Sequence, residues 1–561
     1  MPVALSYPGV YIQEIPSGVH TITGVATSIA AFIGRALRGP EDEPVTINSY
    51  GEFERVFGGL WADSSLGYAV RDFYLNGGAQ AIIVRLYNKE NGANAKILPA
   101  KLKIGAFTLA AASRGVWGQN LRATVDVAVA PDVVARMGLA VGEVFNLTVQ
   151  EVDANGQVLA REIFRNLSIK DSPRQIKKVL GAQSALVRWD GDFPANPLPA
   201  VPTTDPLVAA DDDVTKASKA LAGTKAANPP VPADITKAQK ALDDANVAMS
   251  ASNGIPLTKA DNFTPDGAQG IKKGMFALER ADMFNIMCIP PYLASGDVDA
   301  ALLSDAASYC EARRAMLLVD PPSAWTSKTA ARDSFVASSG PVGIRSKNAA
   351  IYFPRLRQPN PLRDNQMEEF VPCGAVAGIF ARTDASRGVW KAPAGLQATL
   401  AGVSDVNVPL TDAENGELNQ LGINCLRAFP AAGKVVWGSR TLRGADQLAD
   451  ENKYIPVRRT TLFIEESLYR GLQWAVFEPN DEPLWSQIRL NAGAFMQNLF
   501  RQGAFQGSTP RDAYFVKCDR ETTTQADINL GVVNVLIGFA PLKPAEFVVI
   551  SIQQMAGQIA V

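Results

Sequence analysis

The sequence predicts an α/β (α+β overall) multidomain protein, and three observations carry that prediction. Short continuous apolar runs alternate with helix-period segments near the start of the chain, the same alternation returns past residue 280, and a stretch of different composition separates the two blocks. Continuous apolar strands suit a parallel sheet covered on both faces. In the first block TSIAAFIGRAL and AQAIIVRLY bracket Phe53, Val56 and Phe57, then Leu66, Ala69, Val70 and Phe73, all at helical spacing, with Gly77 and Gly78 ending a helix. In the second block MFNIMCIPP (283–291), RRAMLLVDPP (313–322) and NAAIYFPRL (348–356) are expected to be further strands of that sheet. One sheet with an inserted domain is then more economical than two sheets.

The insert begins near Lys89. Its strongest local signal is FNLTVQEVDANGQVLAREIFRNLSI, where DANG separates two period-2 stretches as a hairpin turn does. After Trp189 the composition turns to Pro, Ala, Lys and Asp, and VTKASKAL (214–221) recurs as ITKAQKAL (235–242). Two short Ala/Lys helices joined by a proline-rich turn are expected, as a surface decoration with few apolar anchors. Asp211, Asp212 and Asp213 suit the start of such a helix and lack the alternating ligands of a calcium loop.

Towards the C-terminus, EPLWSQIRLNAGAFMQNLFRQ places Leu484, Ile488, Phe495 and Leu499 on one helical stripe, and TTLFIEESLYRGLQWAVF does the same with Leu468, Leu472 and Ala475. AYFVKCD, VVNVLIGFAPL and AEFVVISIQQMAGQ then read as strands. The last raises a question that the opening YPGVYIQEIPSG raises too. Val10–Ile15 is a strand fenced by Pro8 and Pro16 with no hairpin partner, and in the last strand Val548, Ile550 and Ile552 alternate with Phe547 and Val549. An unpaired strand leaves open N–H and C=O groups, so each end is expected either to pack on its own domain or to add to a sheet in another copy.

Composition narrows the function. The 561 residues are 47% hydrophobic and 20% charged, enough for roughly two to four domains. Fifty-four basic and 56 acidic residues give a net charge of −2, so no global field draws the chain to nucleic acid or to an anionic membrane. MPVALSY lacks a signal-peptide pattern, and no run reaches the ~18 apolar residues of a membrane span. Cys288, Cys310, Cys373, Cys425 and Cys518 are scattered singly, which fits a reducing compartment and buried thiols, and no cluster marks a metal site.

No phosphate loop, dinucleotide fingerprint or nucleophile elbow occurs, and the pairs Glu368/Glu369 and Glu465/Glu466 lack a glycosidase context. The single histidine, His20, lies in a Thr-rich leader, a poor place to hold a general base. Catalytic residues, metals and cofactors are therefore all expected to be none.

The residues YPGVYIQEIPSG, SYGEFERVFGG, FYLNGGAQAIIVRL, LNQLGINCLRAFPAAGKVVWGSRTL and RRTTLFIEESLYRGLQWAVFEPND together resemble the sheath proteins of contractile phage tails and related tail-like injection particles, over roughly residues 1–92 and 275–561. The resemblance implies a subtilisin-like α/β core, but a histidine-dependent triad fails on inventory because His20 lies outside that core. The expected segments are an N-terminal arm (1–22), a core (23–92 plus 271–440), an inserted outer domain (93–270) and a C-terminal domain (441–561) ending in an arm (545–561).

It further implies hexameric rings stacked helically around an inner tail tube and contracting from a metastable extended state on a baseplate trigger. Val10, Tyr11, Ile12, Gln13, Glu14 and Ile15 would form one intersubunit strand, and Phe547, Val548, Val549, Ile550, Ser551 and Ile552 the other. The implied partners are further copies, the tube protein, and baseplate and tail-terminator proteins, with no direct nucleic acid and no membrane insertion. The implied location is a virion tail or tail-like particle assembled in the bacterial cytoplasm. Two other readings compete: a passive self-assembling shell or fibre, and an intracellular hydrolase on an α/β scaffold. For the tube-facing surface, TDAENGELNQLGIN and the 484–500 helix are candidates.

Overall fold

The computed structural model describes residues 20–552 apart from 90–98, 105–106, 141, 154, 194–207, 210–211, 227–231, 240–251, 293–295, 338–339 and 341. Both apolar blocks build one eight-stranded sheet. Its strands are β1 (Ala30–Gly34), β2 (Pro44–Ile47), β3 (Ala81–Arg85), β4 (Ile286–Cys288), β5 (Met316–Val319), β6 (Ala349–Phe353), β7 (Ile423–Phe429) and β8 (Gly433–Val436). Their spatial order is β8-β7-β6-β5-β4-β1-β3-β2. The pairs from β3 through β7 are parallel, and β2 and β8 close the two edges antiparallel. The three runs expected to extend the first sheet thus do so, with β4 pairing beside β1.

Helices cover both faces, as continuous apolar strands require. On one side Ala31, Ile33, Met287, Leu317 and Ile351 meet α3 (Ala300–Ala312) and α4 (Lys328–Val336). On the other Phe32, Ile83, Cys288, Leu318 and Tyr352 meet α1 (Tyr50–Phe57), α2 (Leu66–Leu75) and α5 (Cys373–Arg387). Each Leu, Ile, Met or Phe among them contributes about 1.5–3 kcal/mol on full burial. Gly374 lets α5 cross α2 closely, since a Cβ there would sit 2.0 Å from the Ala69 carbonyl oxygen.

The chain leaves this sheet after β3 and returns at β4. Between them lie a four-stranded sheet, containing Leu121–Asp126, Val144–Val152 and Val158–Ser168, and a three-stranded sheet, joined by one apolar cluster around Phe145, Leu147 and Trp189. The DANG turn does join an antiparallel pair, and the Asp153 carboxylate accepts from the amides of Asn155 and Gln157, which fixes the reversal. The first Ala/Lys copy lies within the helix Asp212–Ala226; the second is helical over 232–239, and its last residues lie outside the described ones.

The C-terminal region holds α6 (Asp412–Leu421), α7 (Ile455–Gly471), α8 (Glu482–Arg501) and a two-stranded antiparallel sheet, β9 (Tyr514–Lys517) with β10 (Leu536–Phe539). The α8 stripe is buried at Leu484, Ile488, Phe495 and Leu499, as its periodicity predicts. The α7 stripe differs. The helix starts earlier, at Ile455, and stops at Gly471, so Ala475 falls beyond it and the buried face is Ile455, Val457, Arg458, Arg459, Thr460, Leu462, Ile464 and Ser467. Its polar members are tied into hydrogen bonds, which is why an apolar count misplaced the face. All five cysteines are buried and free.

At the C-terminal end of β5, Asp320 Oδ1 accepts from the Cys373 amide at the start of α5 (2.9 Å), while its Oδ2 is buried without a partner. Burial, chiefly, pushes this carboxyl up to about 7, against the pull of the Cys373 contact and of Arg355. Between the ordinary carboxylate range and about pH 7 the folded chain therefore keeps a proton that the unfolded chain has released, so stability falls as pH rises through that window. Denaturant melts at pH 5 and pH 8 are expected to show a loss on the order of a few kcal/mol, and Asp320→Asn is expected to remove most of it.

Candidate assembly interface at the chain ends

Both chain ends are rooted on the segment around α7, each by a buried arginine. Arg440 is fully buried and makes a bidentate contact with Glu546, Nε to Oε1 and Nη2 to Oε2 at 2.7 Å each. Its Nη1 donates to the carbonyls of Asn419 (2.8 Å) and Gly444 (3.1 Å) and to Asp446 (3.0 Å). Glu546 also accepts from the Asn419 amide and the Tyr454 hydroxyl. Burial alone pushes this carboxyl up, and the bonds from Arg440 and Asn419 outweigh it, holding Glu546 below the usual glutamate range. Its negative charge is therefore part of the fold.

The other root uses Arg459. Its guanidinium is paired with Asp384 of α5 at 2.6 Å, both side chains buried, and donates to the Thr27 carbonyl at 2.8 Å. Nearby the Val25 amide donates to Ser467 Oγ, and Ile22 is buried against α7 where Gly471 leaves room for it. His20, expected in a mobile leader, instead stacks on Trp474 with ring centroids 4.3 Å apart. The burial of Ile22 two residues on explains why the leader is held there.

Beyond the C-terminal root the picture reverses. Phe547, Val548, Val549, Ile550 and Ile552 are all strongly exposed, from 74% at Phe547 to 91% at Ile552, and residues 547–552, with Ser551 among them, form no strand. The alternation that reads as a strand thus meets no partner among the described residues. Val10, Tyr11, Ile12, Gln13, Glu14 and Ile15 lie outside the described residues. The β9–β10 sheet pairs with no third strand among the described residues, and it exposes Phe515 and Leu536. Two-stranded sheets are marginal alone; this one is backed by Phe495, Met496 and Phe505.

Sequence reasoning singled out the apolar last segment, leaving open whether it packs on its own domain, but missed both arginine roots, because a single charged residue carries no periodic signal. Among the described residues no cluster of His, Cys, Asp and Glu is arranged to hold a metal ion, and no helix is long and apolar enough to cross a membrane. Arg440→Ala leaves Glu546 and several carbonyls without their donor. Denaturant unfolding is expected to show a loss of about 3–5 kcal/mol, and Glu546→Gln a smaller loss of about 1–3 kcal/mol. Limited proteolysis near residue 546 is expected to speed up in both variants.

Residues 267–442 match the family described as phage tail sheath protein central domain, and residues 450–555 the family described as phage tail sheath C-terminal domain. The two spans together cover half of the chain. A tail sheath protein of Vibrio phage KVP40 is 28% identical over 189 residues, 33% of this chain and 27% of that protein. A putative prophage major tail sheath protein of Pseudomonas aeruginosa is 25% identical over 174 residues, 30% of this chain and 42% of that protein. The matched segment thus spans well under two thirds of these relatives.

In fold, the chain is similar to the sheath complex of the extracellular contractile injection system PVC in its contracted state, with TM-score 0.54 and 20% identity over 98% of both chains. It is also similar to the sheath tail protein of Desulfitobacterium hafniense, with TM-score 0.53 and 12% identity over 91% of this chain and 93% of that one. With both sheath families matched along the chain and the sheath fold shared over nearly its full length, the protein belongs to the contractile tail sheath family, a family of structural proteins rather than enzymes.

Proposed function

We propose that the protein is the repeating subunit of a contractile sheath in which hexameric rings stack helically around an inner tail tube and are joined by exchanged terminal strands. The observation that carries the reading is a pair of complementary deficits. Among the described residues, the apolar segment Phe547–Ile552 lacks a strand partner and the β9–β10 sheet lacks a third strand. A segment of one copy that completes the sheet of another satisfies both, by the same main-chain bonding as any β-augmentation. Val10–Ile15 is assigned the same role from the other end.

In this reading the sheath assembles in an extended, metastable state, and a baseplate trigger lets the subunits rotate and move outward into a shorter, wider lattice. The stored energy is that of contacts not yet made, so no nucleotide is required. Gains of a few kcal/mol per subunit, summed over many rings, drive the tube through a target envelope. The partners are further copies, the tube protein, and baseplate and tail-terminator proteins. Nucleic acid contact and membrane insertion play no part, and a near-neutral net charge of −2 accords with that. Assembly takes place in the bacterial cytoplasm, and the α/β core is of subtilisin-like type, with the 93–270 insert on the outside.

Deleting residues 547–561, which leaves the Arg440–Glu546 contact in place, or residues 1–16 is expected to leave a cooperatively melting subunit that sediments as a monomer where the full chain forms polymer. Normal polymer yield from both truncations would refute the exchanged-strand linkage.

A further inference from the structure

We infer that subunits also dock head to tail, the turn carrying Phe477 in one copy seating in an aromatic, cationic cleft of a second; the inference rests on the sheath reading. Phe477 is fully exposed and holds a φ of +70°, the left-handed region, which costs an aromatic residue about 1–2 kcal/mol. In the free subunit the side chain buries no surface, so its own packing does not offset that strain. Strain spent to present an apolar group points to a contact made elsewhere. Val476 and Leu530 are exposed beside it, and the Asn480 amide donates to the Val532 carbonyl (2.9 Å), holding the 530–532 segment against the turn.

The rim of this knob is acidic. From Leu472 to Leu484 the chain carries Glu478, Asp481 and Glu482 and no lysine or arginine. Glu482 pairs with Arg489, while Glu478 and Asp481 enter no ion pair among the described residues.

The complementary surface is a cleft of about 1040 Å³ lined by Trp390, Trp437 and Tyr454 and by Arg387, Lys391 and Lys543. None of these three cations has a carboxylate within ion-pair distance among the described residues. Lys391 is held below its ordinary range first by burial and then by the charge of Arg387. Glu546, in the same wall, is committed to Arg440.

Helix α8 separates the two surfaces. Asp481 caps its N-terminus, Gln502 and Gly503 of the cleft follow its C-terminus, and its 20 residues span about 30 Å. A knob therefore cannot fill its own cleft, and a second copy must. Such a contact joins two different patches, and repeated from copy to copy it closes a ring or winds a helix.

The test mixes full-length Phe477→Cys and Gln502→Cys variants under sheath-forming conditions and oxidises them mildly, the five native cysteines being buried. A disulfide-linked dimer that neither variant forms alone is expected. It should disappear when Arg387→Glu and Lys391→Glu are added to the Gln502→Cys chain. Cylinders in micrographs without a linked dimer would overturn the docking contact and leave the sheath reading standing, whereas neither cylinders nor dimer would overturn both. Phe477→Gly separates docking from folding. Glycine relieves the left-handed strain, so an unchanged or higher subunit Tm with lower polymer yield is expected; a lower Tm with unchanged yield would overturn the inference.

Discussion

The contact between Arg440 and Glu546 is the constraint on which the C-terminal architecture depends. A fully buried guanidinium is costly unless every donor is satisfied, and here the satisfying groups come from α6, the 444–446 turn and the chain end. One side chain thereby decides where the last segment leaves the body. Arg459 does the corresponding work for the other end through Asp384 and Thr27.

A fixed root with an exposed apolar segment beyond it has a mechanical meaning. In the proposed lattice each exchanged strand is held by main-chain bonds in a neighbour's sheet, while its root is held by a buried ion pair in its own subunit. Rotation of the rigid bodies then falls on the junction where root and strand meet. The chain changes from half-buried at Glu546 to strongly exposed at Phe547 within one residue, so the junction is sharply bounded. A neighbour can be linked and still turn.

The main sheet was legible because its strands are uninterrupted apolar runs, and α8 because its stripe repeats at helical spacing over 20 residues. The hairpin at Asp153 was legible from turn chemistry. The buried face of α7 was not, since Arg458, Arg459 and Thr460 stand in it and read as solvent-facing until their partners are known. The anchoring of His20 was hidden for a related reason: it depends on Gly471 and Trp474, which lie at the far end of the chain from His20 and Ile22. Residues 547–552 alternate as a strand does, yet pairing is a property of the neighbour as well as of the segment, and only the assembled particle can supply it.

The most direct measurement of that last point is amide hydrogen exchange across residues 547–552, compared between free subunits and assembled polymer. Rapid exchange is expected in the free subunit, and strong protection, alternating along the segment, once a neighbouring sheet receives it. Equal and rapid exchange in both states would contradict the exchanged-strand linkage.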